Sequence, residues 1–248
     1  MNQSIFEEKE PVRLGVLVPS VNTVVEPDMY RMTPSGFTTH FSRLPVPSDE
    51  STVENLERLE DHLDEALQSL AQARVKAVAF ACTSGSFIKG PEWDRHLIER
   101  MEKIVRPAIT TSEAVVTALR TLGLVKLALV TPYPDLINER MQSYFHAREF
   151  RIVSLKSFSL TRSYDMKRAS PKAIFELAKS ADSKDSEGIF ISCTDLQALP
   201  VIDALEKSVR KPVISSNQAT FWRLLTLSGE SRSVKGYGRL LEGISQKG

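Results

Sequence analysis

The sequence predicts an α/β protein of two similar Rossmann-like (flavodoxin-like) lobes. Each lobe would carry a parallel sheet, the two related by a pseudo-twofold axis with the active site in the cleft between them. Three observations carry this. Short, β-branched strand segments alternate with longer helix-patterned ones, the order of right-handed β-α-β units. Motifs of the first half recur in the second in the same order. A chain of 248 residues, 42% hydrophobic and 25% charged, is long enough to bury a sizeable core.

Taken in order, the strands are Arg13–Ser20, Lys76–Cys82, Pro107–Thr111, Lys126–Tyr133, a weaker one at Arg151–Leu155, Gly188–Cys193 and Pro212–Ser216. Each is a brief apolar run closed by turn residues. Helical spacing of apolar residues marks Val53–Ala73, Trp93–Val105, Ser112–Leu122, Pro134–Ala147, Pro171–Ala181 and Leu199–Val209. The leucines of the first of these, Leu56 to Leu70, read as a core-facing stripe. Leu44-Pro-Val-Pro-Ser48 reads as a loop.

The repeat has three parts. Arg13-Leu-Gly-Val-Leu-Val-Pro-Ser is echoed by Lys126-Leu-Ala-Leu-Val-Thr-Pro-Tyr, Ala-Phe-Ala-Cys82-Thr by Phe-Ile-Ser-Cys193-Thr, and Arg-Pro107-Ala-Ile-Thr-Thr-Ser by Lys-Pro212-Val-Ile-Ser-Ser-Asn. The predicted lobes are residues 1–112 and 113–216, with the tail 217–248 packing on the first. No Gly/Ser-rich linker separates them, so close contact is expected.

Lys and Arg total 32 against 31 Asp and Glu, which supplies no field for nucleic acid or anionic membrane. The stretch Met1–Glu10 is polar and acidic, unlike a secretory signal. No apolar run approaches the roughly 18 residues of a membrane span. The expected location is cytoplasmic. Four scattered histidines (His40, His62, His96, His146) and two cysteines offer no metal-ligand spacing. Phosphate-loop, dinucleotide, nucleophile-elbow and zincin motifs are lacking. No metal and no cofactor are expected. The expected partner is a small carboxylate, and a homo-oligomer is compatible with the chain.

Cys82 and Cys193 end strands at corresponding places in the repeat, and ligands bind at the carboxyl ends of parallel strands. Two facing lobes would bring both thiols to one cleft. Free N–H groups of the following turns are expected to lower the thiol pKa and to cradle an anion, aided by the hydroxyls of Thr83, Ser84 and Thr194. Asp195 would act the other way on Cys193. The alternative is a pair of inert core cysteines, small hydrophobes at strand ends.

At these residues the chain resembles the aspartate/glutamate racemase superfamily, whose two-lobed members work without cofactors through facing cysteines. Val18-Pro-Ser-Val-Asn-Thr-Val-Val-Glu-Pro27 resembles the N-terminal signature of the maleate cis–trans isomerase group. Lys235-Gly-Tyr-Gly-Arg-Leu-Leu241 is similar to the end of that group and of arylmalonate decarboxylases. Thr131–Arg140 and Pro212–Trp222 resemble the decarboxylase pattern. The resemblance implies Cys82 and Cys193 as catalytic, and Asn22, Thr83, Ser84, Tyr133 and Thr194 as substrate-binding. From the residues alone Asn22 reads equally as an Asx turn, Tyr133 as a turn aromatic, and Ser84 and Ser86 as N-caps.

The chain departs from both patterns. The decarboxylases carry one cysteine, in the second lobe; this chain has two. Maleate isomerases place a second binding Asn in the second lobe, whereas no Asn lies between Asn138 and Asn217 here. The implied activity is isomerisation of maleate or a related diacid. An arylmalonate-type decarboxylase, an amino-acid or hydantoin-type racemase, and a non-catalytic carboxylate-binding protein are the alternatives.

Overall fold

A computed structural model describes residues 10–243; nearly all of Met1–Glu10 and the end of the 217–248 tail lie outside the described residues. The chain runs β1 (Val12–Pro19), α1 (Val25–Met32), β2 (Phe37–Leu44), α2 (Val53–Glu57), α3 (Leu63–Gln72), β3 (Ala77–Phe80), α4 (Thr83–Phe87), α5 (Pro91–Glu102), β4 (Ala108–Thr110) and α6 (Thr111–Thr121). The second half runs β5 (Lys126–Thr131), α7 (Asp135–Ala147), β6 (Arg151–Ser157), α8 (Ser163–Met166), α9 (Pro171–Ala181), β7 (Gly188–Ile191), α10 (Ile202–Val209), β8 (Val213–Ser215), α11 (Ser216–Leu227) and α12 (Arg239–Glu242).

Two four-stranded sheets result, in orders β2-β1-β3-β4 and β6-β5-β7-β8, and every pairing within them is parallel. The echoed motifs occupy equivalent strands, so the α/β fold with two matching sheets is the one the repeat predicts. β3 and β7 are short and buried at every position because both sheet faces are covered by helices. In β3 the faces divide by the strand's period of two. Ala77, Ala79 and Ala81 enter the larger core, while Val78, Phe80 and Cys82 enter a second cluster with Leu17, Leu59 and Leu63.

Several elements differ from the prediction, among them β2 and the helix expected over Val53–Ala73. β2 went unread because Phe37-Thr-Thr-His-Phe-Ser-Arg-Leu44 is an edge strand with only Thr39 and Leu44 buried, so it needs no apolar run. The single helix expected over Val53–Ala73 is broken: a 3-10 turn at Arg58–Glu60 separates α2 from α3. The break splits the leucine stripe: Leu59, Leu63, Leu67 and Leu70 are in the core, and Leu56 and Leu59 also line the cleft. α11 packs against α1, α6, β3 and β4 of the first half and against β8 of the second.

A buried polar contact also spans the halves. Tyr144 of α7 donates a 2.6 Å hydrogen bond to Asp94 of α5, and burial raises that carboxyl to about 7. An acid raised above its unfolded value contributes stability that is complete below about pH 4 and is lost as pH rises through 7. In urea melts between those pH values, stability should therefore decline, and Asp94→Asn should make the decline shallower.

Candidate active site

The carboxyl ends of β1, β3, β5 and β7 open onto one cavity with about 70 Å³ available to the centres of water molecules, room for about five waters or one small organic acid. Cys82 and Cys193 both line it, 6% and 8% exposed. With them stand Asn22, Ser84, Tyr133 and Thr194. The lining also includes the apolar side chains of Val21, Val46, Leu56, Leu59 and Met166.

Cys82 is the N-cap of α4, and its sulfur accepts the Gly85 N–H at 3.3 Å. Gly85 has a steric reason to be there: a Cβ would stand 2.8 Å from Leu59 and 3.1 Å from Cys82 Sγ. Ser84 Oγ lies 3.9 Å from the same sulfur. Cys193 follows β7 with φ +108°, and its sulfur accepts the Asp195 N–H, also at 3.3 Å. Tyr133 follows β5 and stacks edge-on against Phe87. Its carbonyl is held by the Asn138 amide and the Ser157 hydroxyl.

Asn22 makes the expected Asx turn and also lines the cavity. Its Oδ1 accepts the N–H groups of Val24 and Val25 and so opens α1, while its Nδ2 donates to Thr194 Oγ1 at 3.2 Å. Thr83 is different. It is buried but does not line the cavity: its hydroxyl donates to Ser216 Oγ at 2.9 Å. Ser86 is also turned inward, to Ser112 and the carbonyls of Cys82 and Thr83.

The thiols are not acidified, contrary to expectation. Burial pushes Cys82 up to about 11, and the bonds from Gly85 and Ser84 only partly offset it. Burial, then the Asp195 charge, pushes Cys193 higher still. One N–H per sulfur is outweighed by loss of water. Burial also holds Tyr133 far above its ordinary value.

The sequence reading missed several parts. Ser216 Oγ accepts from both Thr83 and the Cys193 N–H, tying the two thiol turns together. Asp195 accepts from the Thr23 N–H and from Ser163. Among residues lining the cavity, Asp49 pairs with Arg162 at 3.0 Å, and Ser51 N–H and Ser163 N–H donate to the carbonyls of Thr161 and Asp49. Ser216 and Asn217 sat within the third repeat motif, but nothing in that motif says which way its side chains turn.

Two matched α/β lobes with a thiol from each on a shared cleft define the facing-cysteine class of α/β proteins. The family model for arylmalonate decarboxylase matches residues 14–241, and the chain belongs to that family. It is 26% identical to a maleate isomerase of Geobacillus stearothermophilus over 246 residues, covering 93% of this chain and 97% of the relative. It is 30% identical to the arylmalonate decarboxylase of Bordetella bronchiseptica, covering 92% and 96%. A variant of maleate isomerase Iso from Pseudomonas putida S16, solved with maleate, superposes with TM-score 0.88 at 27% identity, covering 94% of this chain and 98% of that one.

Alkylation of the free protein by iodoacetamide, followed at each cysteine by mass spectrometry, should therefore be slow at neutral pH. The Cys82 rate should rise up to about pH 11, with Cys193 titrating later.

Proposed function

We propose that the chain is an isomerase that interconverts the cis and trans forms of a small unsaturated diacid of the maleate kind, using its own two thiols. The observation that carries this reading is the convergence of Cys82 and Cys193 on one cavity that also presents Asn22, Ser84, Tyr133 and Thr194. The similarity to maleate isomerases along nearly the whole chain supports it.

In the reactive state one of the two thiols has lost its proton. The Cys82 thiolate adds to one alkene carbon, forming the S–C bond as the π pair moves toward the neighbouring carboxylate. Cys193 protonates the adjacent carbon, leaving a saturated adduct whose central bond turns. The Cys193 thiolate then takes that proton back, the double bond reforms trans, and the Cys82 thiolate leaves. Backbone N–H groups of Thr83 and Thr194, with Ser84, Tyr133 and Asn22, supply fixed donors for carboxylate charge in a site with little water.

The apolar lining residues Val46, Leu56, Leu59 and Met166 favour a second reading, decarboxylation of a substituted malonate with Cys193 as the proton donor. NMR in deuterated water separates the two. Isomerisation converts maleate to fumarate mole for mole; decarboxylation releases gas and leaves deuterium at the product α-carbon.

With maleate as substrate, Cys82→Ala and Cys193→Ala should each cut turnover by about a hundred- to ten-thousand-fold. Retained turnover in Cys82→Ala would overturn the addition mechanism. Asn22→Ala should raise KM, because it removes a donor from the carboxylate end.

A further inference from the structure

Cys193 alone of the two thiols has its backbone in the left-handed region, at φ +108°. A non-glycine residue stays there only when its surroundings impose it. The Cys193 N–H donates to Ser216 Oγ at 3.0 Å. On the other side of the residue, the Thr194 carbonyl accepts from Asn217 Nδ2 at 3.1 Å.

Asn217 is 2% exposed, and its Oδ1 has no hydrogen-bond partner. Nothing therefore orients this amide through its oxygen. It is oriented through Nδ2, whose other bond runs 2.8 Å to Asp28 Oδ2. Asp28 lies on α1, is 1% exposed, and meets Arg31 with its remaining oxygen at 3.3 Å. A buried carboxylate is costly unless paired, yet this one serves an amide whose only other hydrogen bond runs to the turn carrying Cys193. Burial raises Asp28 to about 6, so at neutral pH the group remains a charged, strong acceptor.

We propose that Asp28 and Asn217 are a positioning pair for Cys193: Asp28 orients the Asn217 amide, and the amide clamps the Thr194 carbonyl so that the Cys193 sulfur faces the cleft. Neither residue lines the cavity, so the pair acts through the peptide and not on substrate. The proposal rests on Cys193 being a working thiol of the reaction above.

The test uses the full chain and two substitutions, Asn217→Ala and the milder Asp28→Asn. Iodoacetamide labelling of each cysteine is read by mass spectrometry beside kcat and KM for maleate. In Asn217→Ala the ratio of Cys193 to Cys82 labelling should change by at least about fivefold, because reactivity follows thiol exposure and thiolate fraction. Turnover should fall about tenfold or more with KM changed by less than about threefold, the signature of a contact that matters in the transition state. Asp28→Asn should shift both readouts in the same direction by less. A smaller change in the Asn217→Ala ratio, or equal changes at both thiols, overturns the proposal. If circular dichroism shows Asn217→Ala unfolded, Asp28→Asn decides by the same ratio, and a shift below about twofold overturns it. Should the wild type fail to turn maleate over, the reaction assigned above fails, while the labelling ratio still decides the role of the pair.

Discussion

The hydroxyl of Ser216 is the point on which the cleft depends. It sits at the start of α11, directly after β8, and accepts hydrogen bonds from the Thr83 hydroxyl at 2.9 Å and from the Cys193 N–H at 3.0 Å. One buried oxygen thus fixes the turn after β3 relative to the turn after β7. The lone pairs of Ser216 are directed at donors from different sheets, and an unmade buried bond carries a real penalty. Ser215 holds Ser216 in place through a capping box with Gln218. The two sulfurs inherit their relation from that helix start.

Around this tie the site is built by dryness. The strands that carry the thiols are covered on both faces, so the sulfurs at their ends are buried, and both thiols are neutral in the free protein. Donors that stand ready but outweighed become effective only when substrate brings charge to meet them, since electrostatic interactions strengthen where water is excluded. The same dryness raises Asp28, Asp94 and Asp195. Each of these carboxylates joins the two halves of the chain: Asp28 to Asn217, Asp94 to Tyr144, and Asp195 to the Thr23 N–H.

Much of this was legible in the sequence because double burial leaves a strong trace. Ala77–Phe80 and Gly188–Ile191 are apolar at every position or glycine, and each leads into a cysteine and a threonine, which marks two equivalent strand ends. What escaped notice did so for local reasons. β2 is an edge strand and carries Thr-Thr-His where a central strand would carry valines. α4 has five residues, too few to show helical periodicity. The break in the Leu56–Leu70 stripe depends on tertiary packing, and it places Leu56 and Leu59 on the cavity. Thr83 and Ser84 are neighbours with similar side chains, yet only Ser84 lines the cavity. Composition cannot tell which of two hydroxyls a turn will direct inward. The thiol pKa was misjudged because the turn's N–H groups are visible in a sequence pattern, whereas the extent of burial is not.

The central claim is spatial: two sulfurs, one from each lobe, address a single small ligand from opposite sides. A crystal structure of the protein with a bound unreactive diacid such as succinate measures this directly. The account predicts the ligand held at the Asn22 and Thr194 end, with Cys82 Sγ and Cys193 Sγ each in van der Waals contact, about 4 Å, with opposite faces of its carbon chain. A ligand touched by one sulfur while the other stays turned into its own lobe would contradict it.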